Sequence, residues 1–176
     1  MIFVTVGTHE QPFDRLVQEI DRLKGEALIP DDIFVQTGYS VYKPQFCEHK
    51  DFIRFDEMIT RMTESEMVIT HGGTGSIMLV LYHQKIPLVV PRQKKYHEHI
   101  DNHQVLFCRA MVEKKKIIAV YETDELVPAI INYRQLAQQL QENGKQGDFQ
   151  TSGERARIFA QKLNDICLRL VKRTRW

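Results

Sequence analysis

The sequence predicts an α/β fold, a parallel sheet doubly wound with helices on both faces. Three observations predict it. Short strand-like runs alternate with segments of helical period along the chain. Several of those runs are unbroken apolar stretches, as strands covered on both faces should be. Two of them end in glycine-containing turns that lead towards a helix.

The elements follow in order. Residues 2–6 are a β-branched run. Residues 12–24 place Phe13, Leu16, Val17, Ile20 and Leu23 at helical spacing, and Gly25 can close that helix. Residues 33–36 read as a second strand before the breaker Thr37-Gly38, and 52–55 as a third. A short helix is expected over 57–63 and a fourth strand over 67–70. The helix over 76–84 is apolar on most sides, so it is expected to be buried. Residues 88–90 form a fifth strand between Pro87 and Pro91. A helix over 100–111 and a sixth strand over 117–120 come next, and Thr123 is placed to cap a helix reaching about Gln141. The expected organisation is a domain over 1–142, a linker over 143–153 and a basic amphipathic helix over 154–176.

The chain has 176 residues, enough for one domain or one with an appended helix. Apolar residues are 43% and charged residues 27%, near the averages for globular proteins. The longest apolar run, 77–82, is far too short for a span of about 20 residues. Net charge is +1, which argues against a generic nucleic-acid binder. The charge is unevenly spread, however. Residues 153–176 carry seven Lys/Arg against Glu154 and Asp165, so the body is mildly acidic and the tail basic. The apolar stripe of that tail fits a helix docked on its own domain, or one that also meets a partner or an anionic membrane. Three cysteines without paired spacing indicate neither a disulfide framework nor a zinc site, and a reducing cytoplasmic setting is expected. The first residues lack the basic start of a signal peptide.

In an open parallel sheet, ligands bind beyond the C-terminal strand ends. Two loops there stand out: Gly7-Thr8-His9-Glu10, and His71-Gly72-Gly73-Thr74-Gly75-Ser76. Free N–H groups and the helix dipole favour an anion at such a place, and glycines let a phosphate come close. Neither loop is a Walker or G-x-G-x-x-G motif, and a plain strand–helix turn is the alternative. The segment 91–104 leaves strand five at the same edge, rich in groups suited to a polyhydroxylated ligand. His97, His99 and His103 suggest a metal by spacing, but no cysteine or pair of carboxylates accompanies them, so no metal is expected.

Val4-Thr5-Val6-Gly7-Thr8, then Thr70 through Ser76, then Pro91 through Asn102-His103-Gln104 resemble glycosyltransferase family 28. The likeness is greatest to small, separately encoded C-terminal halves of that family. These include the nucleotide-sugar-binding subunit of the two-part enzyme that adds the second N-acetylglucosamine to dolichol-linked glycan. They also include bacterial capsule and exopolysaccharide subunits of the PssE type, which the opening residues 5–16 resemble in particular. The similarity spans residues 1 to about 120 and implies one Rossmann-like half of a GT-B enzyme. A second, membrane-anchored subunit would bind the acceptor.

Carried over by position, the resemblance puts Gly7 and Thr8 on the diphosphate side of the cleft. It has the backbone near Phe55 read the uracil edge. His71, Gly72, Gly73, Thr74, Gly75 and Ser76 would hold the diphosphate, and Asn102, His103 and Gln104 would face the donor sugar. An acid that binds ribose in peptidoglycan-building relatives stands seven residues before the strand-opening proline. Here that proline is Pro87 and the position is Val80. Gln36 and Thr37 are the nearest substitutes at that edge. Gly73→Asp is expected to abolish UDP binding with the fold intact.

The resemblance further implies inverting transfer of a hexose from a UDP-sugar to a polyprenyl-diphosphate-linked saccharide, without a metal cofactor. Galactose comes first, then glucuronic acid and N-acetylglucosamine. The general base belongs to the partner in this family, and His9 is the local candidate, against a plain loop histidine. Arg92, Lys94 and Lys95 suit an anionic sugar, an anionic membrane or solvent. The chain would sit at the inner face of the cell membrane through its partner. A non-catalytic nucleotide-sugar module is the alternative of another class; an epimerase would need both domains in one chain.

Overall fold

The computed structural model describes residues 1–145, with side chains to residue 142. The expected linker and terminal helix therefore lie, apart from the first residues of the linker, outside the described residues, as does Cys167. Six strands form one all-parallel sheet: β1 (Ile2–Thr5), β2 (Ile33–Gln36), β3 (Glu48–Lys50), β4 (Met67–His71), β5 (Leu88–Val90) and β6 (Ile118–Ala119). Their spatial order is β3-β2-β1-β4-β5-β6. The chain winds outward from β1 in one direction, then returns to β4 and winds outward in the other. The crevice between β1 and β4 is thus the switch point, where open α/β sheets hold ligands.

Strand alternation sends residues to both faces. Ile2, Val4, Ile33, Val35, Ile69, Leu88 and Val90 join one core with α1 (Asp14–Gly25), α5 (Leu126–Ile131) and α6 (Tyr133–Lys145). Phe3, Phe34 and Val68 face the other way, against Met62 of α2 (Phe55–Glu64) and Val80 of α3 (Thr74–Tyr82). Val89 meets Ile77 and Cys108, the latter on α4 (His103–Glu113). Helix α1 has no side-chain N-cap. A cap is worth about 1 kcal/mol. Leu16, Val17, Ile20 and Leu23 are fully buried and contribute roughly 1.5–3 kcal/mol each. Packing, not capping, holds α1.

Several expectations are corrected. Residues 52–55 are not a strand. The third strand is Glu-His-Lys at 48–50, an edge strand paired in register with Phe34, Val35 and Gln36. A charged edge blunts pairing with other chains, and its polarity hid it from an apolar-run criterion. Phe52 and Phe55 are exposed instead. Helix α3 buries only Ile77 and Val80 completely, and Tyr82 reaches the surface. Helix α4 starts at His103 rather than at 100, because 94–96 form a 3-10 turn and His97 adopts left-handed backbone. Thr123 opens a 3-10 turn over Thr123–Glu125 rather than capping a long helix. Glu125 Oε2 accepts the Glu122 N–H (3.4 Å) there, and the helix breaks at Asn132 before α6 runs on to Lys145.

Among the described residues no helix is long and apolar enough to cross a membrane. Burial pushes the Cys47 and Cys108 thiols up to about 12, so both stay protonated and unreactive at neutral pH.

Candidate functional site

The β1 and β4 exits bring the two glycine loops together. The Gly7 N–H points to Thr5 Oγ1 (3.3 Å), and Thr5 Oγ1 donates to Gln36 Oε1 (2.6 Å). Gln36 Nε2 in turn donates to Gly7 O (3.2 Å) and Asp51 O (2.8 Å). Thr37 Oγ1 donates to Asp51 Oδ1 (2.8 Å). Gln36 is therefore a buried brace of the first loop, and Thr37 is buried with its hydroxyl tied to the segment after β3.

His71 ends β4, buried between the two loops. A Cβ on Gly7 would lie 2.4 Å from His71 Cε1, and one on Gly73 would lie 2.3 Å from Nε2. Both glycines are there because the ring occupies the room a side chain would take. Gly7 also has φ +77°, which L-residues adopt with strain. Burial, and then the Arg92 charge, push the His71 pKa down to about 4, so the imidazole is neutral at pH 7. The bent backbone is thus set on an uncharged aromatic wedge.

Helix α3 begins immediately beyond. Gly73 is its extended N-cap (φ −70°, ψ 125°), and no side chain caps it. The first helical bond runs from Ile77 N–H to Gly73 O (3.0 Å). The N–H groups of Thr74, Gly75 and Ser76 precede it. Thr74 and Gly75 are exposed, and a Cβ on Gly75 would meet nothing within 4 Å. This is an open, uncapped helix start of the kind that takes an oxyanion.

Arg92, expected to suit an anionic sugar, an anionic membrane or solvent, has no surface to offer any of them. It is fully buried. Its Nη1 donates to Gln11 O (2.7 Å), Pro12 O (3.3 Å) and Glu98 O (3.2 Å), and Nη2 donates to Val6 O (3.0 Å). The guanidinium lies over Phe13, 4.7 Å from the ring centre. Beside it Arg15 clasps buried Glu98 (2.7 and 3.0 Å) and donates to Tyr121 O and Pro91 O. Burial lowers the Arg92 pKa to about 10, so it keeps its charge. The three ionic groups sum to one positive charge behind the crevice, which favours an anion in front. Lys94 and Lys95 are exposed, and Lys95 pairs with Glu122 (2.5 Å).

On the rim, His9 stacks on His99 (4.5 Å between centres) and His99 meets His103 edge-on (4.4 Å). His9 Nε2 lies 3.0 Å from Gln11 Oε1. His103 Nδ1 is 2.5 Å from Asp101 Oδ1, and Asn102 Oδ1 accepts the Lys94 N–H (3.0 Å). Gln104, expected at a sugar hydroxyl, is buried, and its Oε1 accepts the Arg92 N–H (3.1 Å). A Cβ on Gly72 would meet Gln104 Cβ at 2.8 Å, so this glycine serves a close loop–helix contact. Thr8 is exposed beside Gly7. Phe55 opens α2 at the far, β3 side of the sheet edge and is 65% exposed. Val80 is core, packed with Phe3, Phe34 and Met62, and offers nothing to a ligand.

The structure thus gathers Gly7, His71, Gly73 and the α3 start at one crevice. It adds Arg15, Arg92, Glu98 and Asp101, whose roles sequence reasoning missed. Of these only Asp101 left a local trace, its spacing two residues from His99 and from His103.

Residues 1–162 match the model of the glycosyltransferase family 28 C-terminal domain. The UDP-N-acetylglucosamine transferase subunit ALG13 of Yarrowia lipolytica is 27% identical over 142 residues, covering 72% of this chain and 67% of that protein. The crystal structure of the glycotransferase of kitacinnamycin superposes with a TM-score of 0.62 at 16% identity. That superposition covers 91% of this chain but 42% of the other, so the chain spans less than half of that enzyme and shares its fold.

Proposed function

The chain belongs to the family of glycosyltransferase family 28 C-terminal domains, and from that premise we propose that it is the UDP-sugar-binding subunit of a two-part inverting glycosyltransferase. One observation carries the proposal above the others. The uncapped start of α3 lies at the sheet's switch point, beside a glycine turn packed on neutral His71.

In this proposal the diphosphate of the donor sits on the N–H groups of Thr74, Gly75 and Ser76. An acceptor hydroxyl attacks the anomeric carbon. The bond from that carbon to the diphosphate oxygen breaks, and the electron pair leaves with UDP. The helix amides and the buried Arg92 charge stabilise the negative charge that develops there. Fixed dipoles and one buried cation do this without a metal at the diphosphate. The hydroxyl proton goes to a general base, supplied by the partner or by His9 on the rim.

The partner is a membrane-anchored acceptor-binding subunit, and the acceptor a saccharide on a polyprenyl diphosphate at the inner face of the cell membrane. The name of the Yarrowia lipolytica relative puts UDP-N-acetylglucosamine first among donors to test, with UDP-galactose and UDP-glucuronic acid after it. Capsule or exopolysaccharide synthesis is the proposed setting.

Calorimetry with UDP on the chain alone, followed by sugar-transfer assays with and without the partner and membranes, tests the proposal. UDP binding together with partner-dependent transfer is the expected result. Binding without transfer in any pairing would make the chain a nucleotide-sugar module. No binding of any uridine nucleotide would remove the proposal.

A further inference from the structure

We propose that His99, Asp101 and His103 bind one divalent first-row metal ion, with zinc the best match, on the loop leading into α4. One ligand atom from each residue lies within 4.8 Å of the other two. Asp101 Oδ1 is 2.5 Å from His103 Nδ1 and 3.3 Å from His99 Nδ1. A tetrahedral zinc with bonds of about 2.0–2.2 Å holds its ligand atoms roughly 3.3 Å apart. The three groups therefore need side-chain shifts of about an ångström to close on an ion.

Two of the three can move. The side chains of Asp101 and His103 are each 54% exposed, whereas His99 is held, stacked on His9 and edge-on to His103. Two imidazoles and one carboxylate favour zinc, cobalt or nickel over magnesium or calcium, which take oxygen ligands. Three protein ligands leave one position for water or for an oxygen of a bound molecule.

Asp101 also braces the turn before α4, since its Oδ1 accepts the His103 N–H (3.0 Å). That role needs neither imidazole, yet both rings converge on the same oxygen. The histidine spacing read from the sequence included His97, which is exposed in left-handed backbone and lies outside the cluster. It lacked the carboxylate, which is Asp101. The site goes beyond the donor-binding proposal and does not depend on it.

The test is calorimetric titration of the full, tag-free chain with zinc chloride alone, with visible absorption of the cobalt form as a second readout. One equivalent of zinc is expected. Asp101→Asn keeps a side-chain oxygen that accepts the His103 N–H, so it should fold and melt like the parent while losing at least tenfold in zinc affinity. His103→Ala should lose as much, and His97→Ala should bind like the parent. No heat with the parent chain, or unchanged affinity in both Asp101→Asn and His103→Ala, would overturn the proposal.

Discussion

His71 Nε2 lies 2.3 Å from where a Cβ on Gly73 would be built, so the ring and the missing side chain are one packing unit. Gly75, two residues on, has nothing within 4 Å of the same position. Two glycines of one loop thus answer to different constraints, one steric and one open to a ligand.

Gly73→Asp is therefore a poor probe of phosphate binding, because its Cβ displaces His71 before its charge matters. Gly75→Asp is the better one. Removing a helical glycine and adding an acid to the first turn together favour α3 by about 1 kcal/mol. A carboxylate beside the proposed diphosphate should lower UDP affinity at least about tenfold. A melting curve and a UDP titration of this variant check both. Unchanged UDP affinity would place the nucleotide elsewhere.

Gly73→Ala should cost about 1–3 kcal/mol by overpacking, and most of that should vanish in a His71→Ala background. Gly7→Ala should behave differently. Its φ of +77° leaves a residual strain of about 1 kcal/mol even when the ring is gone. Urea denaturation of the four single and double variants, with His71→Ala as reference, reads the difference as a double-mutant cycle.

The depressed His71 pKa makes stability pH-dependent. The unfolded chain takes up this proton near pH 6.5, whereas the folded chain resists it until about pH 4. Stability from this residue is complete above pH 6.5 and falls as the pH drops towards 4, by about 3 kcal/mol at pH 4. Denaturation at pH 7 and pH 5 should therefore show a larger loss in the parent than in His71→Asn. Equal losses would mean that His71 is not held neutral.

Arg92→Lys should be strongly destabilising although it preserves charge. An ammonium cannot reach the carbonyls of Val6, Gln11, Pro12 and Glu98 together, as the planar fork does. Breaking such a buried arrangement costs about 3–5 kcal/mol. Thermal melts of Arg92→Lys and of Lys94→Ala, an exposed neighbour, should differ accordingly.

Periodicity and glycine placement are enough to read an α/β sheet with strands at 33–36 and 88–90 and the loops at Gly7 and at His71–Ser76, while the helix expected from 76 begins two residues earlier, at Thr74. Each of these is a property of a short window, where side-chain alternation reports burial and a glycine reports a turn. The polar edge strand at 48–50 was invisible, since one face of an edge need not be apolar. Arg92 reads as a group for solvent or a ligand, Gln104 as a contact of a sugar hydroxyl, and Glu98 has no assigned part, because their partners stand far away in the chain, such as Val6 O for Arg92 and Arg15 for Glu98. Only the folded sheet brings those atoms together. It alone decided that His71 is a neutral wedge and that Asp101 joins two histidines, because hydrogen bonds and steric fit act over a few ångströms of space whatever the separation along the chain.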